Sequence, residues 1–226
     1  MDYRPAHMRA AVPPLELEEI ANSLTHALGL VFSLAAAPLL VAAATARGDS
    51  LAVVSCSVFA LSLVLLYGAS TAYHMARRPI HKSIMQVLDH SCIYLLIAGS
   101  YTPFALITLR GAWGWSMFGV VWGMAVIGIL FKIFFTGRFH TLSNFFYLGM
   151  GWFAVIGWKP MQASLPAGGM TWLMIGGAAY TLGIVFFILD EKIKFFHAIW
   201  HLFVLAGSAA HVVAVYQYVL APPIGS

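Results

Sequence analysis

The chain has 226 residues, of which 61% are hydrophobic and only 9% are charged. A soluble domain carries roughly a quarter charged residues, so this composition excludes an ordinary soluble protein and predicts one that is surrounded by membrane lipids. The formal net charge of +4 comes from lysines and arginines scattered along the chain. Such scattered cations set membrane orientation and do not form a nucleic-acid-binding surface, so we expect no nucleic-acid partner.

Seven apolar segments are long enough to cross a bilayer, which takes about 20 residues. In chain order they cover residues 24–45, 51–73, 88–109, 113–135, 142–158, 171–189 and 195–220. We therefore predict an all-α integral membrane protein, with a seven-transmembrane helix bundle over residues 23–220. An N-terminal segment (residues 1–22) precedes the bundle and a short tail (residues 221–226) follows it. The N-terminal segment is polar, and no signal-peptide cleavage site directly follows the first apolar run. We therefore expect the first transmembrane helix to direct insertion into the membrane.

The positions of lysine and arginine predict the orientation of this bundle, because cytoplasmic loops are enriched in both. With the N-terminus in the cytoplasm, nine of these residues fall on the inner side and three on the outer side. The inner set is Arg4, Arg9, Arg77, Arg78, Lys82, Lys132, Arg138, Lys192 and Lys194, and the outer set is Arg47, Arg110 and Lys159. An odd number of spans then puts the C-terminus outside.

Polar residues that are costly in a membrane gather near the inner ends of the predicted spans. His197 and His201 lie four residues apart, on one face at the start of the last span. His74 ends the second span, with Ser70 one turn before it, and Asp89 opens the third span. Ionisable groups inside a membrane segment usually pair with one another and usually serve function. Their common depth therefore favours a single site.

Three imidazoles with one open position match the ligand set of catalytic zinc sites. We predict a Zn²⁺ ion on His74, His197 and His201. Asp89 is the natural carboxylate to act as general base toward a water molecule or to orient it, and Ser70 could hydrogen-bond the same water.

Each of these residues also has a simpler interpretation. With nine histidines, a four-residue spacing arises by chance fairly often. His74 alone could be an interfacial histidine that faces lipid headgroups. Asp89 could be an acid favoured near a helix N-terminus, and Ser70 could be a small residue in a helix interface.

Four more polar residues are compatible with more than one role. Glu19, Asn22 and His26 form a stripe that enters the first span at the depth of the site. They could support the metal ligands, cap the helix or line a substrate entrance. His211 lies ten residues beyond His201, about 15 Å deeper along a helix, which is too far to share an ion with the histidine pair. It could line a cavity or bond across helices.

These residues, taken together, resemble the motifs of the hemolysin III family. The matching residues are Ser70-x-x-x-His74, Leu88-Asp89 and His197-x-x-x-His201, with Glu19-Ile20-Ala21-Asn22-Ser23-Leu24-Thr25-His26 as an opening motif. Gly137-Arg138-Phe139-His140 and Tyr147-Leu148-Gly149-Met150-Gly151-Trp152 are similar to the connection between the fourth and fifth spans of the family. That family is the bacterial branch of the progestin and adipoQ receptors, within a wider superfamily of membrane hydrolases. The resemblance implies seven helices, a cytoplasmic N-terminus, a location in the bacterial cytoplasmic (inner) membrane, and zinc on the three histidines with the aspartate reaching it through water.

Three functions are compatible with these expectations. The first is a zinc-dependent, ceramidase-like hydrolase of a lipid amide or ester, whose lipid substrate enters between helices. The alternative is a membrane sensor or homeostasis factor without catalytic activity, in which zinc links helices structurally. The third, a cytolytic or ion-conducting protein, is less favoured because a channel needs polar residues through the whole membrane thickness. The sequence leaves the substrate and the oligomeric state open.

Overall fold

A computed structural model describes residues 15–136 and 138–221, and every regular element in these ranges is helical. The eight α-helices are α1 (Leu17–Ala46), α2 (Ser50–Met75), α3 (Pro79–Pro103), α4 (Gly111–Phe135), α5 (His140–Trp152), α6 (Trp158–Ser164), α7 (Ala167–Leu189) and α8 (Phe196–Ala214). The described residues exclude most of the predicted N-terminal segment, with Arg4 and Arg9, and most of the predicted tail. They also exclude Gly137 of the motif Gly137-Arg138-Phe139-His140.

Six helical segments of the described ranges are long and apolar enough to cross a membrane. They are α1, α2, α3 with its π-helical extension to Leu109, α4, α7, and α8 with its extension to Val219. The fifth predicted span, residues 142–158, does not form one such helix. It is divided among α5, a 3-10 turn over Phe153–Gly157, and α6. Six spanning segments therefore have the expected form, and a seventh crossing stays a prediction.

The break in the fifth predicted span has a local cause in the Tyr101 side chain of α3. Its hydroxyl lies 3.0 Å from the Met150 carbonyl oxygen and 2.5 Å from that of Gly151, and it accepts a hydrogen bond of 2.8 Å from the backbone N–H of Ala154. A side chain that inserts into the backbone ladder in this way is a recognised cause of helix distortion. The α-helix changes to a 3-10 turn at this point.

Two helices begin at least seven residues earlier than the apolar pattern predicts. Helix α1 begins at Leu17, so Glu19 and Asn22 are part of the helix and do not precede it. Helix α3 begins at Pro79, a residue favoured in the first helical turn because its missing N–H would have no partner there. Asp89 therefore lies in the third turn of α3, deeper than the helix opening where the sequence pattern put it.

The helices pack in two layers that share α3, the most buried of the six spanning segments. One apolar core lies among α1, α2, α3 and α8 and includes Phe59, Leu63 and Tyr67. The second lies among α3, α4 and α5 and includes Tyr94 and Val121. Helix α7 lies at the edge and packs on α8. Helix α3 contributes residues to both cores and therefore links them.

Contacts between helix termini define two ends of the bundle. At one end, the last turn of α2 meets the first turns of α1 and α8 and the end of α7, as the contacts of His74 and His197 show; we call this the histidine end. At the opposite end, Arg47 donates hydrogen bonds of 3.0 Å to the carbonyl oxygens of Val219 and Ala221. These contacts fix α1, α2 and α8 relative to one another around the histidine end.

Candidate metal centre

The turn between α7 and α8 brings His197 into the site. Phe195, which precedes α8, adopts a left-handed backbone conformation with φ of 65°, which is uncommon for a bulky side chain. Its backbone N–H donates a 2.7 Å hydrogen bond to Glu18 Oε1 of α1. This contact ties the strained turn to α1, so that α8 starts at a fixed position beside the first turn of α1.

Three imidazole rings from α2 and α8 lie together at the histidine end. The ring centroids of His74 are 5.1 Å from those of both His197 and His201, and the latter two are 4.6 Å apart. One ligand atom from each residue lies within 4.8 Å of the other two. His74 and His201 are buried, with 3% and 0% of their surface exposed, whereas His197 is partly exposed. These three residues are the ones that the sequence predicted as metal ligands.

Each of these rings is held by a hydrogen bond at Nδ1. His74 Nδ1 lies 2.6 Å from Glu19 Oε2, and His197 Nδ1 lies 2.6 Å from Asp190 Oδ2. His201 Nδ1 lies 3.1 Å from the Asn22 carbonyl oxygen. All three acceptors are oxygens, so they favour the tautomer with hydrogen on Nδ1 and a lone pair on Nε2.

The Nε2 atoms of the same three histidines are buried and have no hydrogen-bond partner among the described residues. A buried polar atom without a partner costs free energy, so three such atoms in one place indicate a missing ligand. Metal-binding histidines usually donate their other ring N–H to a carboxylate or a carbonyl oxygen, as these do. The donor set therefore fits a metal ion that prefers nitrogen ligands.

Asp89 and Ser70, the predicted catalytic pair, lie next to each other beside the histidines. Asp89 is 4% exposed and Ser70 is fully buried. The two side chains are neighbours, and the Ser70 hydroxyl has no partner at hydrogen-bonding geometry among the described residues. Asp89 is not one of the three residues whose ligand atoms lie close enough to share an ion. A carboxyl and a hydroxyl thus border the histidine group without joining it.

The polar stripe of α1 contacts two of the three histidines. Glu19 bonds His74 and also accepts a 2.7 Å hydrogen bond from Lys82 Nζ. Asn22 contributes its backbone carbonyl to His201, while its side-chain oxygen has no partner among the described residues. His26 stacks on His201 with ring centroids 3.4 Å apart and an interplanar angle of 18°. The structure thus places all three stripe residues against the ligands.

His211 lies elsewhere in the bundle. Its Nε2 is 3.4 Å from the Leu173 carbonyl oxygen of α7, and its ring packs against Tyr180 and Phe104. It therefore bonds across helices, and it takes no part in the histidine group.

The structure adds three contacts that sequence reasoning did not identify. Asp190 bonds His197, although a carboxylate among charged residues after a helix is normally solvated. Thr25 Oγ1 lies 3.0 Å from His201 Nδ1, and Glu18 holds the turn before α8. The seven-residue spacing of Asp190 and His197 carries no helical signal, because a turn separates them. Thr25 follows Asn22 by three residues and therefore shares its face of α1, so its contact with the site could have been inferred.

The fold and the site together define a class of protein: a multi-pass, all-helical membrane protein with a buried three-histidine group that could hold a metal ion. The sequence profile of the family described as "Haemolysin-III related" matches residues 16–212 of this chain. The chain therefore belongs to the haemolysin III family, and it is a multi-pass protein of the bacterial cytoplasmic membrane.

Full-length similarity to characterised sequences supports this assignment. The chain is 47% identical over 203 residues to "Hemolysin-3" of Bacillus cereus, covering 90% of this chain and 92% of that protein. It is 46% identical over 206 residues to "Hemolysin-3 homolog" of Bacillus subtilis (strain 168), covering 91% and 96%. It is 30% identical over 215 residues to human "Monocyte to macrophage differentiation factor", covering 93% and 88%. The human relative agrees with the resemblance to the progestin and adipoQ receptors.

Proposed function

We propose that this protein is a zinc-dependent hydrolase of a lipid amide or ester, with its site near the cytoplasmic leaflet. The observation that carries the proposal is the set of three buried Nε2 atoms without partners among the described residues, next to a buried carboxyl and a buried hydroxyl. Zinc accepts three imidazole ligands and leaves a fourth position open in catalytic sites. Held there, zinc would polarise a carbonyl oxygen and make a nearby water molecule more nucleophilic.

The residues around the histidines have the chemistry that hydrolysis requires. Asp89 would accept a proton from the attacking water as general base while water adds to the substrate carbonyl carbon. The bond to the leaving nitrogen or oxygen then breaks, and the same proton passes from Asp89 to the leaving group. An amide would yield a carboxylic acid and an amine, and an ester a carboxylic acid and an alcohol. Ser70 would orient the water by a hydrogen bond.

The positions of the cations support a cytoplasmic location of the histidine end. Seven of the lysines and arginines in the described ranges fall in the connections and helix turns assigned to that side, and three fall on the other. They are Arg77, Arg78, Lys82, Lys132, Arg138, Lys192 and Lys194, against Arg47, Arg110 and Lys159. This distribution follows the rule that cationic residues stay on the cytoplasmic side.

The contacts at either end of residues 140–164 support a seventh crossing by this segment. Tyr147 of α5 donates a hydrogen bond to the His90 carbonyl oxygen, next to Asp89. Helix α7, which follows the segment, begins at the opposite end, where a side chain at Gly168 would meet Tyr218. The segment therefore starts near the histidine end and finishes at the other, which supports seven crossings and an external C-terminus.

Metal analysis of single variants tests the proposed zinc site. Purified wild-type protein should contain one zinc ion per chain, and His74→Ala, His197→Ala and His201→Ala should each lose most of it. His211→Ala is the matched control, because His211 is also buried but lies outside the histidine group; it should keep its zinc. Equal zinc loss in the control, or wild-type zinc content in all three ligand variants, would contradict the site.

Turnover separates the enzyme from a structural role of zinc. Release of fatty acid from ceramide and from a matched ester, both in proteoliposomes, should require zinc. Asp89→Asn should keep the zinc content and lose turnover by at least a hundredfold, since a lost general base typically costs between 10² and 10⁴. Wild-type turnover after loss of zinc would exclude zinc-dependent hydrolysis.

A membrane sensor or homeostasis factor with structural zinc is the second candidate, and His26 is the reason to retain it. Both ring nitrogens of His26 are buried without a hydrogen-bond partner among the described residues. If this ring turned toward the ion, it would supply a fourth protein ligand, and a closed shell is typical of structural zinc. X-ray absorption of the zinc protein, compared with His26→Ala, distinguishes three from four imidazole ligands.

A further inference from the structure

A lysine is buried in the second core of the bundle, away from the histidine group. Lys132 lies near the end of α4 and is only 2% exposed. The rest of α4 is mostly exposed at its surface, and Lys132 lies on the stripe that faces inward together with Gly128, Ala125, Val121 and Met117. The side chain does not extend outward along the protein surface, as lysines near membrane interfaces commonly do.

Among the described residues, no carboxylate forms an ion pair with this cation. The ion pairs of the described residues do not include Lys132. Its Nζ lies 5.7 Å from the centre of the Tyr147 ring, a weak contact at the outer limit for a cation and an aromatic face. A charged group buried in a membrane protein without a partner is costly, and such groups usually mark a binding or transport function.

Two more side chains with hydroxyl groups lie near Tyr147. Ser143, one helical turn before Tyr147 on α5, is 1% exposed, and its hydroxyl has no hydrogen-bond partner among the described residues. Tyr94 of α3 is also 1% exposed; it packs on Tyr147 with ring centroids 4.4 Å apart, and its side chain neighbours Ser143. We call these four residues, Lys132, Tyr94, Ser143 and Tyr147, the lysine pocket.

A cationic amine and a buried hydroxyl are groups that can bind a phosphate or a carboxylate. We propose that the lysine pocket binds the anionic group of a membrane lipid, between α3, α4 and α5 on the cytoplasmic side. Lys132 supplies the charge, and Ser143 donates a hydrogen bond. The Tyr147 hydroxyl already donates to the His90 carbonyl oxygen at 3.0 Å, which holds the aromatic wall in place. The proposal does not depend on zinc or on hydrolysis.

Binding of defined lipids to the delipidated protein in a non-ionic detergent tests the pocket. Native mass spectrometry would count bound phosphatidylglycerol, phosphatidylcholine and oleate, with inorganic phosphate as a separate arm. Phosphatidylglycerol or oleate should bind to wild type, and Lys132→Met should weaken this binding at least tenfold. Lys132→Arg should retain it within threefold. Lys192→Met, which removes an exposed lysine from the same end of the bundle, is the matched control and should leave it unchanged.

Ser143→Asp keeps the test valid if Lys132→Met does not fold. The new carboxylate would pair with Lys132 and replace the anion, so this variant should lose anionic-lipid binding at least tenfold without a lower melting temperature. Saturable phosphate binding that depends on Lys132 supports the same anion chemistry with a soluble ligand. Equal binding of phosphatidylcholine and phosphatidylglycerol, or unchanged binding in both Lys132→Met and Ser143→Asp, overturns the proposal. Zinc content should stay at the wild-type value throughout, which separates this result from the fate of the metal site.

Discussion

The hydrogen bond between Asp190 and His197 should control metal affinity. His197 Nδ1 lies 2.6 Å from Asp190 Oδ2, and the two side chains are 23% and 14% exposed. Replacing the partner of a metal-binding histidine typically lowers metal affinity by a factor of about 10 to 100. That range corresponds to roughly 1.4 to 2.7 kcal/mol. Because Asp190→Asn keeps a hydrogen-bond acceptor and the pair is partly solvated, we expect a loss near tenfold.

Two further variants calibrate this expectation. Asp190→Ala removes the acceptor as well as the charge, so its loss should approach a hundredfold. Glu19→Gln should cost less than Asp190→Asn, because the Glu19 carboxylate is shared between His74 and Lys82 at 2.6 and 2.7 Å. The zinc affinity should therefore decrease in the order wild type, Glu19→Gln, Asp190→Asn, Asp190→Ala.

Competition with a chromogenic zinc chelator, at fixed pH in detergent, measures these affinities. Glu191→Gln is the matched control, since it removes the neighbouring, exposed carboxylate. An affinity of Asp190→Ala within twofold of wild type would refute the reasoning that this carboxylate orients the ligand. The same would follow from an equal loss in Glu191→Gln, because the effect would then be one of general charge.

Three other predictions concern the bundle. Gly114→Ala should lower the free energy of unfolding by about 1–3 kcal/mol, because its Cβ would clash with the Ala105 carbonyl oxygen. Gly119→Ala, whose Cβ would meet no neighbour, should leave the free energy of unfolding unchanged. Thermal unfolding in detergent compares the two variants. Phe195→Gly should fit the left-handed turn without strain, so its zinc affinity should stay within threefold of wild type by chelator competition. Cysteine labelling tests the seventh crossing in a background of Cys56→Ser and Cys92→Ser. An impermeant maleimide should label Lys159→Cys in intact cells and Arg138→Cys only after lysis. Labelling of both in intact cells would contradict the seventh crossing.

Apolar run length predicted the helices but not where they begin. The first turns of α3, from Pro79 onward, contain His81 and Lys82 and are largely exposed. A helix that extends beyond the apolar part of the membrane has polar residues there. A search for apolar runs therefore detects only the part of the helix inside the membrane. For the same reason, the sequence pattern put Asp89 at a helix opening, while the structure has it ten residues inside.

The interruption of the fifth predicted span could not be read from its own residues. It depends on Tyr101, about 50 positions earlier, whose hydroxyl bonds the backbone around Ala154. The three histidines of the candidate site were predictable for the opposite reason, since a histidine inside an apolar segment stands out from its neighbours. Asp190 could not be predicted, because a carboxylate beside other charges after a helix is normally solvated. Only the turn at Phe195 brings Asp190 to His197.

The orientation of His26 bears on whether a fourth protein ligand completes the site. An imidazole binds a metal through a lone pair in the plane of its ring. An ion in the plane of His201 would lie close to 3.4 Å from the nearly parallel plane of His26, well beyond a zinc–nitrogen bond of about 2.0–2.1 Å. In this stacked orientation His26 therefore supports His201 and leaves the fourth position open for water or substrate. His26→Ala should keep one zinc per chain with three imidazole ligands, and loss of the metal in this variant would instead favour a closed, structural site.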